Sequence, residues 1–185
     1  MARHGWYLGT VILIVLAAVT LLLMGREPIC QCGYVKLWHG ATVSAESSQH
    51  LTDWYTPSHI IHGILFYAAL ALTVPRASTG LRLFLATAIE VAWEIVENSD
   101  TVIERYRTVT IALDYYGDSV VNSVFDIFAM VLGFWLARSI PAWASAAIVI
   151  ALEALTAIVI RDGLALNVLM LLYPVDAVLD WQSGG

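Results

Sequence analysis

Apolar residues in this chain fall in long runs rather than in alternation. The stretch from Trp6 to Met24 is long enough to cross a hydrocarbon core, which takes about 20 residues. Five further apolar segments follow at roughly 59–74, 82–98, 119–137, 142–160 and 164–179, each bounded by charged or turn-forming residues. Backbone amides in hydrocarbon must be bonded within their own segment, so these runs predict helices; ten-residue alternating strands of the barrel type do not occur. The pattern therefore predicts an all-α polytopic transmembrane bundle of about six helices, a single membrane domain over 1–185, with a long ordered loop after the first helix. The last segment is short and carries Pro174 and Asp176, which predicts a kink or partial insertion.

Composition agrees. The chain is 59% hydrophobic and 13% charged, against about 45–50% and 25% in soluble domains. No Pro, Gly or Ser tract reads as a linker, and a net charge of -6 without a basic stretch argues against nucleic acid and against a polybasic lipid anchor. The expected surroundings are membrane lipid. Arg3 and His4 ahead of an apolar run resemble a secretory signal, but neither a small-x-small cleavage site nor a lipobox before Cys30 follows, so a retained first helix is expected.

Chain direction then orders the connections. Crossings alternate, so connections one (25–58), three (99–118) and five share one side, whatever the orientation. Arg3, Arg76, Arg82 and Arg138 on one side balance Arg26, Lys36, Arg105, Arg107 and Arg161 on the other, so the positive-inside count does not choose between the two orientations. The short Arg-containing start favours a cytoplasmic N-terminal end, which puts the three loaded connections on the periplasmic face.

Charged groups inside membrane helices cost about 2.5–3.5 kcal/mol on insertion scales, so repeated ones need partners or a function. Glu90, Glu94 and Glu97 recur at i, i+4 and i+7, and Asp118, Asn122 and Asp126 at i, i+4 and i+8, each set on one helical stripe. His59 and His62 share a face at i and i+3. Direction puts His59, His62, Glu97 and Asp118 at one depth, Glu94 and Asn122 below them, and Glu90 and Asp126 deeper. Loop one, with His39, His50 and Asp53, and loop three, with Asp114, would cover the mouth.

Imidazole with several carboxylates suits a divalent ion such as Zn, Mn or Fe, and carboxylates alone suit Mg. The metal candidates are His59, His62, Glu94, Glu97 and Asp118, and the catalytic candidates Glu94, Glu97, Asp118 and Asn122. His39, His50, Asp53, Glu90, Asp114 and Asp126 are secondary. The competing explanation is that the acids pair with Arg105, Arg107, Arg161 and Tyr or Trp donors and merely lock the bundle. Cys30 and Cys32, the only cysteines, close a small disulfide ring, bind a soft metal, or do neither. His-Glu-x-x-His, Gly-x-Ser-x-Gly and phosphate-binding Gly-rich loops are absent.

Four stretches carry a family likeness: Cys30-Gln-Cys-Gly-Tyr-Val-Lys-Leu-Trp-His39-Gly, Ser48-Gln-His50 through His59-Ile-Ile-His62-Gly, Trp93-Glu94-Ile-Val-Glu97-Asn98, and Asp114-Tyr-Tyr-Gly-Asp118-Ser-Val-Val-Asn122-Ser. They resemble uncharacterised protein family 0314, also called domain of unknown function 2585, over about 25–181. That resemblance implies a bacterial multi-pass inner-membrane protein and carries no established reaction. The order His-x-x-His-Gly, Glu-x-x-x-Glu, Gly-Asp is also distantly similar to the VanZ-like membrane proteins, which bears on fold alone. Three functions fit the residues: a metal-dependent hydrolase or transferase acting on a lipid-linked or envelope substrate, a cation or proton carrier path, and a non-catalytic scaffold or assembly factor.

Overall fold

The computed structural model describes residues 3–41, 44–112 and 114–184, with side chains from Gly5 onward. Among them the protein is mostly helical, with eight helices: α1 (Arg3–Leu23), α2 (Thr56–Thr73), α3 (Thr79–Glu97), α4 (Asp100–Val109), α5 (Val120–Ser139), α6 (Ala142–Val159), α7 (Leu164–Leu172) and α8 (Asp176–Gln182). Three of these, α1, α5 and α6, are long and apolar enough to cross a membrane. Helices α2 and α3 are of similar length and carry most of the polar stripe residues.

Local chemistry sets where the helices start. The Ser78 hydroxyl accepts the Leu81 amide at 3.2 Å ahead of α3, and the Ser119 hydroxyl accepts the Asn122 amide at 3.2 Å ahead of α5; each satisfies a donor that a helix start leaves orphaned. Pro57 stands in the first turn of α2, where its missing N–H costs nothing.

Two elements depart from the sequence pattern. The third connection, expected as a loop, contains α4, with Asp100 in its first turn, Arg107 in its last, and Ile103, Tyr106 and Val109 buried. The terminal charges complement the helix dipole, and the spacing of three gives one apolar stripe. The expected crossing at 164–179 is instead two short helices parted at Tyr173–Val175. Pro174 holds the preceding residue out of the helical region, and Tyr173 is extended at φ -144° and ψ 87°. Helix α7 has 9 residues, a rise of about 13 Å, well short of a core of about 30 Å.

Loop one is ordered by a two-residue parallel ladder, β1 (Trp38–His39) beside β2 (Thr52–Asp53), paired Trp38 to Thr52 and His39 to Asp53. Cys30 and Cys32 are joined to each other as a disulfide. Loop one also reaches the other loaded connections. Gln49 Nε2 donates to the Gly117 carbonyl at 2.7 Å, Ser119 Oγ to the Gln49 carbonyl at 3.1 Å, and Tyr55 Oη to Asp162 Oδ2 at 3.3 Å.

Two glycines let α2 and α5 cross closely. A Cβ at Gly63 would lie 1.9 Å from the Met130 carbonyl oxygen, and one at Gly133 would lie 2.0 Å from the Ile60 carbonyl oxygen. Helix α1 packs on α3, and both pack on α5. Ala17, Leu70, Leu83, Ala86, Ile127, Met130 and Phe134 form the buried apolar core.

Candidate metal centre

The α2–α5 crossing places one wall of the site and α3 supplies another. Glu90, fully buried on α3, receives both imidazoles: His59 Nδ1 lies 2.7 Å from Oε1 and His62 Nδ1 lies 3.0 Å from Oε2. With the proton on Nδ1, each ring keeps an Nε2 lone pair for a ligand, the arrangement by which carboxylates orient metal-binding histidines. His59 also faces two further acids, with Nδ1 3.6 Å from Glu94 Oε1 and Nε2 3.8 Å from Asp126 Oδ2.

Beside this lies a second set. Glu97 Oε1 accepts the Tyr106 hydroxyl at 2.7 Å. Asp118 accepts the Tyr115 hydroxyl at Oδ1 and the Asn98 amide at Oδ2, both at 2.9 Å, while its own backbone N–H donates to Asn98 Oδ1 at 2.7 Å. Asn98 is thus a two-way clamp on Asp118. Gly117, at φ +96°, makes the turn that presents it.

Between the two sets stands Glu94. It is fully buried, and neither of its carboxylate oxygens has a hydrogen-bond partner among the described residues. Three overlapping groups each bring their ligand atoms within 4.8 Å of one another: His59, His62 and Glu90; His59, Glu94 and Asp126; and Glu94, Glu97 and Asp118. These buried clusters can hold a metal ion.

The arginines of the competing explanation go elsewhere. Arg105 donates to the Leu171 carbonyl, Arg107 to the Tyr115 carbonyl and Arg161 to the Trp181 carbonyl. Among the described residues, Lys and Arg form ion pairs only as Arg26–Asp100, Lys36–Glu46 and Arg107–Glu104. The tyrosine donors of that explanation are present, as Tyr106 and Tyr115. Burial pushes both phenols well above their ordinary range, so they remain protonated donors. Burial also raises the Asp118 carboxyl, against the opposing hydrogen bonds from Asn98 and Tyr115.

A cavity of about 150 Å³ opens onto this cluster. Its lining includes the polar residues His59, His62, Glu97, Asp118 and Asp126 and the apolar residues Ile111, Ala112, Leu164 and Val168. Asp114, which is exposed, also lines it.

The layering expected from chain direction changes in detail. His62 reaches down to Glu90 instead of meeting Glu97 and Asp118, and His59 touches both deeper levels. Asn122 faces loop one, donating to the His50 carbonyl at 2.8 Å. Asp53 accepts the Ser48 and Tyr55 amides at 2.6 and 2.8 Å, ordering the turn before α2. His39 and His50 surround Glu46 instead of the cavity, with His50 Nε2 3.0 Å and His39 Nδ1 3.8 Å from its carboxylate. Lys36 at 2.7 Å and His50 hold the Glu46 carboxyl down at about 2, while burial lowers His39.

The sequence pattern passed over Glu46, Asn98, Tyr106, Tyr115 and Asp162. Asn98 was findable one position beyond Glu97 on the acid-bearing helix. Tyr106 lies on the α4 stripe with Ile103 and Val109, while Glu46, Tyr115 and Asp162 lie in connections without helical period, where only the fold aims them. Asp162 is buried beneath Tyr55 and Asn167, and burial raises its carboxyl to about 6.

Fold and site together define a small, mostly helical protein with membrane-length apolar helices and a buried histidine–carboxylate centre able to hold a metal. Within that class, the chain belongs to the family described as "Protein of unknown function (DUF2585)", which matches residues 21–184. Relatives named UPF0314 protein are found in Paracoccus denitrificans, 70% identical over 98% of this chain and 94% of the relative, and in Sphingopyxis alaskensis, 50% identical over 100% and 98%. A third, in Rhizobium etli, is 54% identical over 97% of this chain and 92% of its own. No solved structure matches the chain.

Proposed function

We propose that this is a multi-pass protein of the bacterial inner membrane that uses a divalent metal ion, of the Zn, Mn, Fe or Mg kind, to hydrolyse or transfer a group of a lipid-linked or envelope substrate at the periplasmic face. The observation that carries the reading is Glu94, fully buried with both oxygens unpartnered in a carboxylate cluster that Lys and Arg, among the described residues, do not neutralise. An isolated buried carboxylate is costly unless it is paired or coordinates a metal. Histidine with carboxylates suits the ions named.

A bound ion supplies a polarised phosphoryl or carbonyl oxygen and an acidified water. Glu97 and Asp118 stand on the cavity wall, where one of them serves as general base. The apolar part of the lining, Ile111, Leu164 and Val168, suits the apolar part of an amphiphile. Below Glu90 the bundle is closed by Leu83, Ala86, Ile127 and Met130, which favours a pocket over a carrier path. Asn122, bonded to loop one, serves the scaffold.

Metal analysis of the purified full chain tests this. Stoichiometric metal is expected in the wild type and a reduced content in Glu94→Ala and Asp118→Ala. A metal-free wild type with both variants indistinguishable from it overturns the reading.

A further inference from the structure

Resting on the metal reading above, we infer that the centre holds two divalent cations that share Glu94 as a bridging carboxylate, and that it takes a phosphate ester. Glu94 is the residue common to two ligand groups, one with His59 and Asp126, the other with Glu97 and Asp118. Its two oxygens are both buried and both without a partner, as a carboxylate with one oxygen for each ion would be.

Charge selects the number. Glu90 is covered by two imidazoles, at 2.7 and 3.0 Å, and stands behind the ligands. The two imidazole N–H groups solvate the Glu90 charge, and the ligand carboxylates proper are Glu94, Glu97, Asp118 and Asp126, with Lys and Arg directed elsewhere among the described residues. Ionised, these four carry four negative charges in a desolvated pocket, of which one divalent ion compensates half and two compensate all. Each group supplies three ligands, which leaves open positions on both ions.

The outer contacts are also duplicated. Glu90 orients the histidine set, while Tyr106, Tyr115 and Asn98 fix Glu97 and Asp118 by bonds of 2.7–2.9 Å. Two ions about 3.5–4 Å apart form the clamp that stabilises the attacking and leaving oxygens of a phosphoryl group. With both ions present, the acid cluster becomes able to accept an anionic headgroup.

The test uses the full chain in detergent, stripped with chelator and reloaded with Mn²⁺ alone. Metal analysis is expected to give two Mn per chain, with the exchange-coupled paramagnetic resonance spectrum of a pair. Asp118→Asn and Asp126→Asn should each fall to one Mn with an isolated-ion signal, and Glu94→Gln should lose the coupling. If Glu94→Gln does not fold, the two aspartate variants decide. One Mn per saturated wild-type chain, or two uncoupled ones, overturns the pair and leaves the single-metal reading standing; none overturns both. Inorganic phosphate should alter the coupled spectrum, and an unchanged spectrum overturns the ligand class.

Discussion

Gly63→Ala should damage fold and site together. The new Cβ would stand 1.9 Å from the Met130 carbonyl oxygen and 2.6 Å from the Phe134 nitrogen, where ordinary contact begins at 3.4 Å. Both obstacles are backbone, so no rotamer change relieves them, and α2 must move off α5 by about 1.5 Å, the difference between 3.4 and 1.9 Å. Overpacking of this kind costs ~1–3 kcal/mol, and two rigid obstacles put this case at the upper end. At ~2–4 °C per kcal/mol for a chain of this size, the melting temperature should fall by ~6–12 °C. His59 and Asp126 sit one turn before Gly63 and Met130 on the same two helices, 3.8 Å apart, so the separation pulls these candidate ligands apart as well. Thermal unfolding in detergent, followed by tryptophan fluorescence, and Mn²⁺ binding read the two effects. Leu72→Ala, at a position 82% exposed, is the control. A Gly63→Ala protein that melts with the wild type and binds Mn²⁺ as tightly refutes the close-crossing argument.

Gly117→Ala forces a side chain into a left-handed turn at φ +96° and against Arg26 Nη1 and Ile103 Cδ1, both at 2.9 Å. The strain is worth ~1–3 kcal/mol and should appear as weaker Mn²⁺ affinity through displaced Asp118; unchanged affinity in calorimetric titration counts against it. Asp162 has its folded carboxyl raised to about 6 from an ordinary 3.8, so its favourable contribution is complete below the unfolded value and lost as pH rises through the folded one. Wild type should therefore gain stability between pH 7 and 4 relative to Asp162→Asn, by at most ~3 kcal/mol. Melting curves of the two proteins that run parallel across that range would contradict the assignment.

Residue period carried much of this into view. Glu90, Glu94 and Glu97 at helical spacing, and Asp118 with Asp126, announce buried stripes because hydrocarbon-length segments leave charged residues so little freedom. The depth of each residue was less legible. Chain direction fixes which residues lie near one end, but His59 and His62 both meet Glu90 through Nδ1, a pairing that depends on how α2 and α3 are staggered and leaves no trace in residue spacing. The α4 stripe, Ile103, Tyr106 and Val109, was hidden by the charged residues between its members. Asn122 shares the stripe of Asp118 and Asp126, yet it sits one turn into α5 under loop one, where a backbone carbonyl claims it. Contacts that depend on how loops fold over the bundle leave no period to read.

The glycines and the acids belong to one design. Carboxylates buried away from water require fixed partners to offset their lost hydration, and a close helix crossing sets those partners in place. Gly63 and Gly133 provide that approach from opposite helices, and Glu90 then holds the imidazoles of α2 against α3. The disulfide and the Glu46 network order loop one, which in turn seats Gln49 on Gly117 and so holds Asp118 at the cavity. A change in loop one should therefore reach the centre through Asp118 before it reaches His59, whose position is set by the helix crossing.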